Sequence, residues 1–517
     1  MLATVLLAPL LSGLAAALLP QDANWDLRNY HYYNPFALLN GRSGFDIAPA
    51  QLPSFYNPLL HLPYYWLVNS VPPRLVAFVL GAVQGFNITL LVLLARGLLH
   101  PPQRWLAWPV ALLGATGAAN LSMLGTSFFD NVLSLFFLGS LLVLVRRQGA
   151  WPALLAGLVI GIAVGLKQTM VIYAIGLCLG CLAMPGRHLA AFRTAFTFGL
   201  GVVGGILLSG GWWMWSLWDS YGNPLFPYMN SVFGSPMAPP TDRRDLAYVP
   251  ETWTEALLFP FLVARDSRQA GEIAFTDIRL ALLYLALPLA LLLRARPLLS
   301  AGPQAPLLLV ACAATYVAWL ALFAIYRYQV GSEMLAPLVL LLCLDRLPLG
   351  RHRLAAAGAV AAAMLAAFRP GLWERVPWSG AATYFDVGAP AIADPAGSLV
   401  LMAGWQPTSF VIPFFPRDLR FIRIQGNFTS PDDEANPFND LMRALVAGHR
   451  GPLFLLAKDH ELADAGAALA TYRLDLQTAD CVPVPTALDR RIVFCPLRRD
   501  SNASAAASGA SQTIRDW

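Results

Sequence analysis

Four ionisable residues stand within or at the ends of long apolar stretches: Asp26, Asp130, Lys167 and Arg327. A charge in such surroundings costs on the order of several kcal/mol and marks a functional site unless a plainer role accounts for it. Plainer roles exist for each. Asp26 could cap a helix over 27–39, and Asp130, followed by Asn131, could cap the apolar stretch it opens. Lys167 could carry its ammonium to an interface. Arg327, between Tyr326 and Tyr328, could belong to an aromatic belt. Three polar-aromatic segments, 25–41, 54–66 and 221–236, add Tyr30, His31, Tyr56, Asn57, His61, Tyr221 and Asn223, with Tyr328 beside Arg327. Both histidines also read as ordinary aromatic-loop residues. Singly these signals are modest; gathered on one face they would form one polar site built from many helix ends.

The elements that must position them follow from composition. Of 517 residues, 57% are hydrophobic and 13% charged, with a mean hydropathy of +0.55. Soluble domains carry roughly 25% charged residues. The shortfall excludes a soluble enzyme, a disordered chain and a nucleic-acid binder, and makes the bilayer the natural solvent. Lysine occurs only at Lys167 and Lys458, so arginine supplies almost all the positive charge. The net charge of +5 is small for this length.

A span needs about 20 mostly apolar residues. Eleven stretches are expected to be spans: 2–20, 73–98, 105–124, 131–146, 152–167, 169–185, 196–217, 278–294, 305–325, 331–345 and 354–368. The stretch 254–264 is too short and reads as an interfacial or re-entrant helix. The first stretch lacks the basic flank of a signal peptide and reads as a retained span. Basic, acid-poor loops occur at Arg104, at Arg146 and Arg147, at Arg187, His188 and Arg193, at Arg294 and Arg296, and at Arg346, Arg351 and Arg353. The positive-inside rule puts all of them in the cytoplasm if the N-terminus is cytoplasmic. The loops 21–72 and 218–277 and the tail from 369 then lie outside, as do Asp26, Asp130, Lys167 and Arg327.

In the tail, strand-like runs at 398–403, 420–424, 452–457 and 491–495 alternate with helical stretches at 440–447 and 461–471, predicting a small α/β domain over 369–500. Residues 501–517 are small and polar and read as a disordered tail. Cys178, Cys181, Cys312 and Cys343 lie in expected spans and read as packing residues. Cys481 and Cys495 lie in the external domain, where an oxidising compartment permits a disulfide. A structural zinc site is not indicated. There is no internal repeat, P-loop or dinucleotide-binding glycine pattern, and so no machinery for ATP-driven transport.

The segment DLRNYHYYNPFALLNG from Asp26, followed by PSFYNPLLHLPYYWL from Pro53, resembles the first external loop of the GT-C glycosyltransferases. Those proteins include the lipid A aminoarabinose transferase and the protein O-mannosyltransferases. GLKQT around Lys167 resembles their lysine at the end of a glycine-rich span. YGNPLFPYMNSVFGSP from Tyr221 is similar to a segment of bacterial polyprenyl-phosphate-sugar transferases, and YRYQVGSEMLAPL from Tyr326 to their Arg-Tyr stretch before a late span. Together these cover most of residues 1–345 in order.

The resemblance implies a multi-pass protein of the bacterial inner membrane with a periplasmic active site. It would transfer a sugar from a polyprenyl-phosphate donor to an acceptor hydroxyl on an envelope glycan, lipid or protein. Asp26 matches the loop acid and would be the general base. Lys167 and Arg327 would stabilise the departing lipid phosphate, with Arg28, Tyr30 and His31 as nearer candidates. Two departures stand out. Asp26 is followed by Leu27 rather than a second acid, with Asp22 four residues earlier. Where the aminoarabinose transferases carry aromatic-x-Lys-Pro, this chain reads Phe55–Tyr56–Asn57–Pro58. The missing lysine puts more weight on Lys167 and Arg327 and points to a different sugar or acceptor. No cofactor is implied with certainty, and divalent-metal dependence is left open. Two other readings compete: a flippase or transporter of a lipid-linked sugar, and a polysaccharide ligase or polymerase. The latter draws on Arg243, Arg244, Arg265, Arg268 and Arg279 in the loop 241–279.

Overall fold

Apolar stretches without water must satisfy their backbone groups internally, and the α-helix does so within one segment. A computed structural model describes residues 2–241, 243–293, 297–300, 304–433 and 437–500, residues 2–5 as backbone only. The fold is mostly helical. The helices are α1 (Leu2–Leu18), α2 (Tyr33–Leu39), α3 (Leu62–Ser70), α4 (Pro73–Leu98), α5 (Ala107–Ala115), α6 (Ala118–Ser122), α7 (Asp130–Arg146), α8 (Ala150–Leu166) and α9 (Val171–Leu182). They continue as α10 (His188–Tyr221), α11 (Asn230–Phe233), α12 (Trp253–Arg265), α13 (Arg279–Leu293), α14 (Ala305–Leu322), α15 (Val330–Asp345), α16 (Arg353–Ala367), α17 (Pro437–Gly448) and α18 (Leu462–Ala470). Among the described residues, four helical segments are long and apolar enough to cross a membrane: Pro73–Leu98, His188–Tyr221, Ala305–Leu322 and Tyr326–Asp345. The other apolar helices are shorter. Leu189, Phe192, Phe196, Leu200, Leu207 and Trp215 of α10 are all exposed, a surface compatible with lipid as its solvent.

Helix falls on every stretch expected to be apolar and helical, with two corrections. The stretch 105–124 is not one helix but α5 and α6, broken at Gly117. Two distant carboxylates impose the break. Asp277 accepts the Ala118 N–H at 3.2 Å, and Glu333 accepts those of Ala119 and Asn120, each at 3.0 Å. They cap a new helix start, and a Cβ at Gly117 would collide with the Glu333 carboxylate. The helix expected at 196–217 begins at His188, so His188 and Arg193 lie in α10 rather than in a loop. Arg294, Arg296 and the tail 501–517 lie outside the described residues.

The chain forms two compact units. The first comprises Met1–Asn24, Val71–Ser216 and Arg244–Pro377. Within it α1 packs on α4, α7 on α8, α9 on α14 and α13 on α15. Glycine sets the contact between α8 and α10: a Cβ at Gly157 would strike the Phe198 carbonyl, and one at Gly161 the Val202 carbonyl. A two-residue pairing, β1 (Gln21–Asp22) with β2 (Arg375–Val376), ties the end of the first segment to the end of the last.

The second unit comprises Trp25–Ser70, Leu217–Arg243 and Trp378–Trp517. Its strands are β3 (Leu399–Met402), β4 (Arg420–Arg423), β5 (Leu453–Lys458), β6 (Leu474–Leu476), β7 (Val482–Pro483) and β8 (Ile492–Arg499), in the order β4-β3-β5-β8-β6 with β7 on β8. The β4–β3–β5 part is parallel; pairings with β8 are antiparallel. A disulfide joins Cys481 to Cys495. The first loop enters this sheet, with Ile47 pairing in parallel with Ile422 beyond β4. Asp46 fixes that register. It accepts from Arg42 at 2.5 and 2.6 Å, from the Tyr33 hydroxyl at 2.7 Å and from the Phe421 N–H at 2.9 Å. Burial pushes its carboxyl above the usual range, against the pull of Arg42. The units therefore interleave along the chain instead of dividing at 368/369. Loops with many polar side chains find their partners in the tail.

The α8–α10 contact can be tested directly. Gly157→Val should destabilise the protein by about 1–3 kcal/mol through overpacking, read as a lower melting midpoint in detergent. Gly199→Val, with open space around it, should leave the midpoint within error.

Candidate functional site

Within the first unit, α8 ends at Lys167, where the backbone turns extended before the short helical turn Gln168–Met170. The Lys167 ammonium donates to both Asp130 oxygens, at 2.7 and 2.9 Å. Asp130 opens α7 and is buried, a position where a carboxylate also suits the helix dipole. Lys167 is thus neither a free interfacial anchor nor Asp130 merely a cap. The ammonium lies 5.3 Å from the centre of the Tyr328 ring, and the Arg327 guanidinium lies 5.4 Å from the same ring. Two cations that the sequence places 160 residues apart therefore share one aromatic ring. Arg327 also covers Phe128 at 4.7 Å and Trp373 at 5.6 Å, and pairs with Glu272 at 3.2 Å.

Neighbouring groups hold this arrangement. The Tyr173 hydroxyl donates to the Tyr328 carbonyl at 2.7 Å and accepts the Gly331 N–H at 3.0 Å, fixing the turn into α15. Asp22 accepts the Ser127 N–H at 2.8 Å and the Asn24 amide at 2.7 and 2.9 Å, steadying the loop that carries Phe128. Beside Arg327, Glu272, Tyr326 and Trp373 lies a cavity of about 10 Å³, room for roughly one water. A second cavity of about 200 Å³ is lined by residues of α1, α4, α5, α6 and α15, among them Gln84, Asn87 and Asn120, with no charged residue.

In the second unit, Asp26 is half-buried and stands before a π-turn, Leu27–His31, with no capping hydrogen bond from its side chain. The single helix expected over 27–39 is interrupted before α2. Pro35 has no N–H to give the His31 carbonyl, so a continuous α-ladder fails there, whereas the first turn of α2 needs none. His31 and His61 stack at 4.0 Å, with the Tyr30 ring edge-on to both, at 4.4 and 5.7 Å. Tyr30 also meets Tyr56, whose hydroxyl is 2.6 Å from that of Tyr228.

Several candidates have structural work instead. Arg28 pairs with Asp489 at 2.7 Å, and Asp489 also takes the ammonium of Lys458. Asn57 accepts the Leu59 N–H and caps a short turn. Tyr221 stacks on Phe226 at 4.2 Å. Asn223 accepts the Leu225 N–H at 2.8 Å and donates to the Tyr228 carbonyl at 2.9 Å, closing a turn. Of the loop arginines, Arg268 pairs with Asp266, and Arg279 is buried against Asp277 and the Leu113 carbonyl. The sequence did not single out Glu272, Phe128, Trp373, Tyr228 or Asp489; Glu272 is one of seven acids in the arginine-rich loop 241–279, and nothing local sets it apart. Among the described residues no three His, Cys, Asp or Glu side chains could hold a metal ion.

No protein-family model, curated protein or solved structure matches the chain.

If the Lys167–Asp130 pair organises α7 and α8, Lys167→Met should strand a buried carboxylate and cost about 3 kcal/mol. The double variant Lys167→Met/Asp130→Asn should recover most of that. Melting midpoints in detergent test this, and a double variant no more stable than the single one would refute it.

Proposed function

We propose that the chain is a membrane glycosyltransferase of the GT-C type. On this reading it moves a sugar from a polyprenyl-phosphate donor to a hydroxyl at the outer face of the bacterial inner membrane. The observation that carries the reading is the pairing of Lys167 and Arg327 over the Tyr328 ring. Two cations at helix ends suit an anionic lipid head held where an apolar chain can continue between helices. Four helices long and apolar enough to cross a membrane, among the described residues, support a chain that lives in the bilayer, and on this reading the basic loops favour eleven spans with the N-terminus in the cytoplasm. The Cys481–Cys495 bond suits a tail in an oxidising compartment.

In the proposed reaction the acceptor oxygen attacks the anomeric carbon as the bond from that carbon to the phosphate oxygen breaks. The electron pair stays on the lipid phosphate, and the acceptor proton passes to the Asp26 carboxylate. Attack opposite the leaving group inverts the anomeric centre. Fixed cations lower the barrier because phosphate charge grows in the transition state. Arg327 carries more of this than Lys167, whose charge is already met by both oxygens of Asp130. Arg28, the other cation considered for the phosphate, is paired with Asp489 in the second unit. His31, His61, Tyr30 and Tyr56 form an aromatic patch suited to a sugar face, with Asp26 preceding it in sequence.

Purified protein incubated with a polyprenyl-phosphate sugar and candidate acceptors tests the reading. Asp26→Asn should reduce transfer by about 10²–10⁴-fold, and Arg327→Ala should mainly weaken donor use. Transfer unchanged in Asp26→Asn would remove Asp26 as base. Movement of intact donor across liposomes without bond cleavage would favour a flippase instead.

A further inference from the structure

The two cations over Tyr328 are held by carboxylates of very different character. Asp130 grips Lys167 with both oxygens and its side chain is 3% exposed. Glu272 pairs with Arg327 at 3.2 Å and its side chain is 33% exposed, against 13% for Arg327. A buried pair resists exchange because either charge left alone is costly. An ion pair at a partly exposed carboxylate contributes less and yields more readily to a competing anion.

Arg327 would hold its place without Glu272, since Phe128, Tyr328 and Trp373 lie at 4.7, 5.4 and 5.6 Å from its guanidinium. The loop bearing Glu272 is also fixed. The Ser267 hydroxyl accepts the Phe275 N–H at 2.8 Å and donates to the Ile273 carbonyl at 3.3 Å, and the Ala270 carbonyl accepts the Tyr326 N–H at 2.5 Å. Only the Glu272 side chain has to turn.

We infer that Glu272 is an exchangeable counter-ion of Arg327: a lipid phosphate displaces it on binding, and it returns to displace the phosphate at the end of the cycle. This rests on the reading that Arg327 receives a lipid phosphate. Lys167 is then the standing member of the pair and Arg327 the exchanging one. The exchange also has a direction. A sugar-linked phosphodiester carries one negative charge, whereas the monoester left after transfer carries about −1.5 to −2. The monoester is the harder of the two to release, and a carboxylate waiting beside the guanidinium opposes its retention.

Binding of farnesyl phosphate and of its monomethyl ester to the full-length protein in detergent, followed by calorimetry, tests this. Glu272→Gln should bind both probes roughly threefold to fivefold more tightly than wild type, and Glu272→Asp, which keeps the charge, should return toward wild type. Glu272→Gln/Arg327→Gln should bind no more tightly than Arg327→Gln alone. Equal or weaker binding by Glu272→Gln, or a gain that persists without Arg327, would overturn the exchange. Failure of wild type and Glu272→Gln alike to bind either probe would instead overturn the lipid-phosphate reading on which it rests.

Discussion

A charge that leaves water must meet an opposite charge or a set of hydrogen bonds, and this requirement fixes the segments that hydrophobicity alone leaves undetermined. Asp345 at the end of α15 takes Arg353 at 3.0 Å and the N–H groups of Leu298, Leu299 and Ser300, tying a loop to the helix bundle. Asp277 and Glu333 decide where α5 stops and α6 starts. Asp46 brings the first loop onto the sheet. Arg423, fully buried, donates to the Pro49 and Gly404 carbonyls and the Thr408 hydroxyl, and burial pushes its guanidinium down to about 10, against the pull of Glu461. Apolar contact supplies most of the cohesion in such a chain, but it is non-directional. The few paired charges supply register.

Local pattern made the helices legible. Span-length apolar runs, a glycine-rich helix ending in lysine, and the strand runs of the tail are properties of neighbouring residues. The same holds for the Cys481–Cys495 pairing, confined to a short stretch of the tail. Long-range partners were not legible. Nothing near Gly117 announces that carboxylates at 277 and 333 will cap the next helix, and nothing near Arg28 announces Asp489. The interruption before α2 had a readable cause in Pro35, which favoured a helix start there over one continuous helix. Arg28 drew attention as a cation close to Asp26 and Asn57 as part of a polar-aromatic segment, whereas their partners lie elsewhere: Arg28 pairs with Asp489, and Asn57 caps a short turn.

The scarcity of lysine takes on a physical meaning. Both lysines are held by aspartates, Lys167 by Asp130 and Lys458 by Asp489. Arginine, with five donors on a planar fork, can serve several acceptors and lie against rings at once. Arg42, Arg279, Arg327 and Arg423 all do one or both. In the candidate site this division leaves one compact cation in a closed pair and one broad cation among aromatic faces, so two like charges near one ring need not behave alike.

The interleaving of the second unit also sets a clock on the ribosome. Arg42 finds the Arg417 carbonyl 375 residues further along the chain. At about 5–20 residues per second, some 20 to 75 s pass between synthesis of the first loop and arrival of the strand it pairs with. Through that interval Ile47 presents an unpaired edge, and Asp46 and Arg42 have only each other and Tyr33. Until the last hundred residues emerge, the early loop lacks both the strand β4 and the Arg417 and Leu419 carbonyls that receive it in the finished fold.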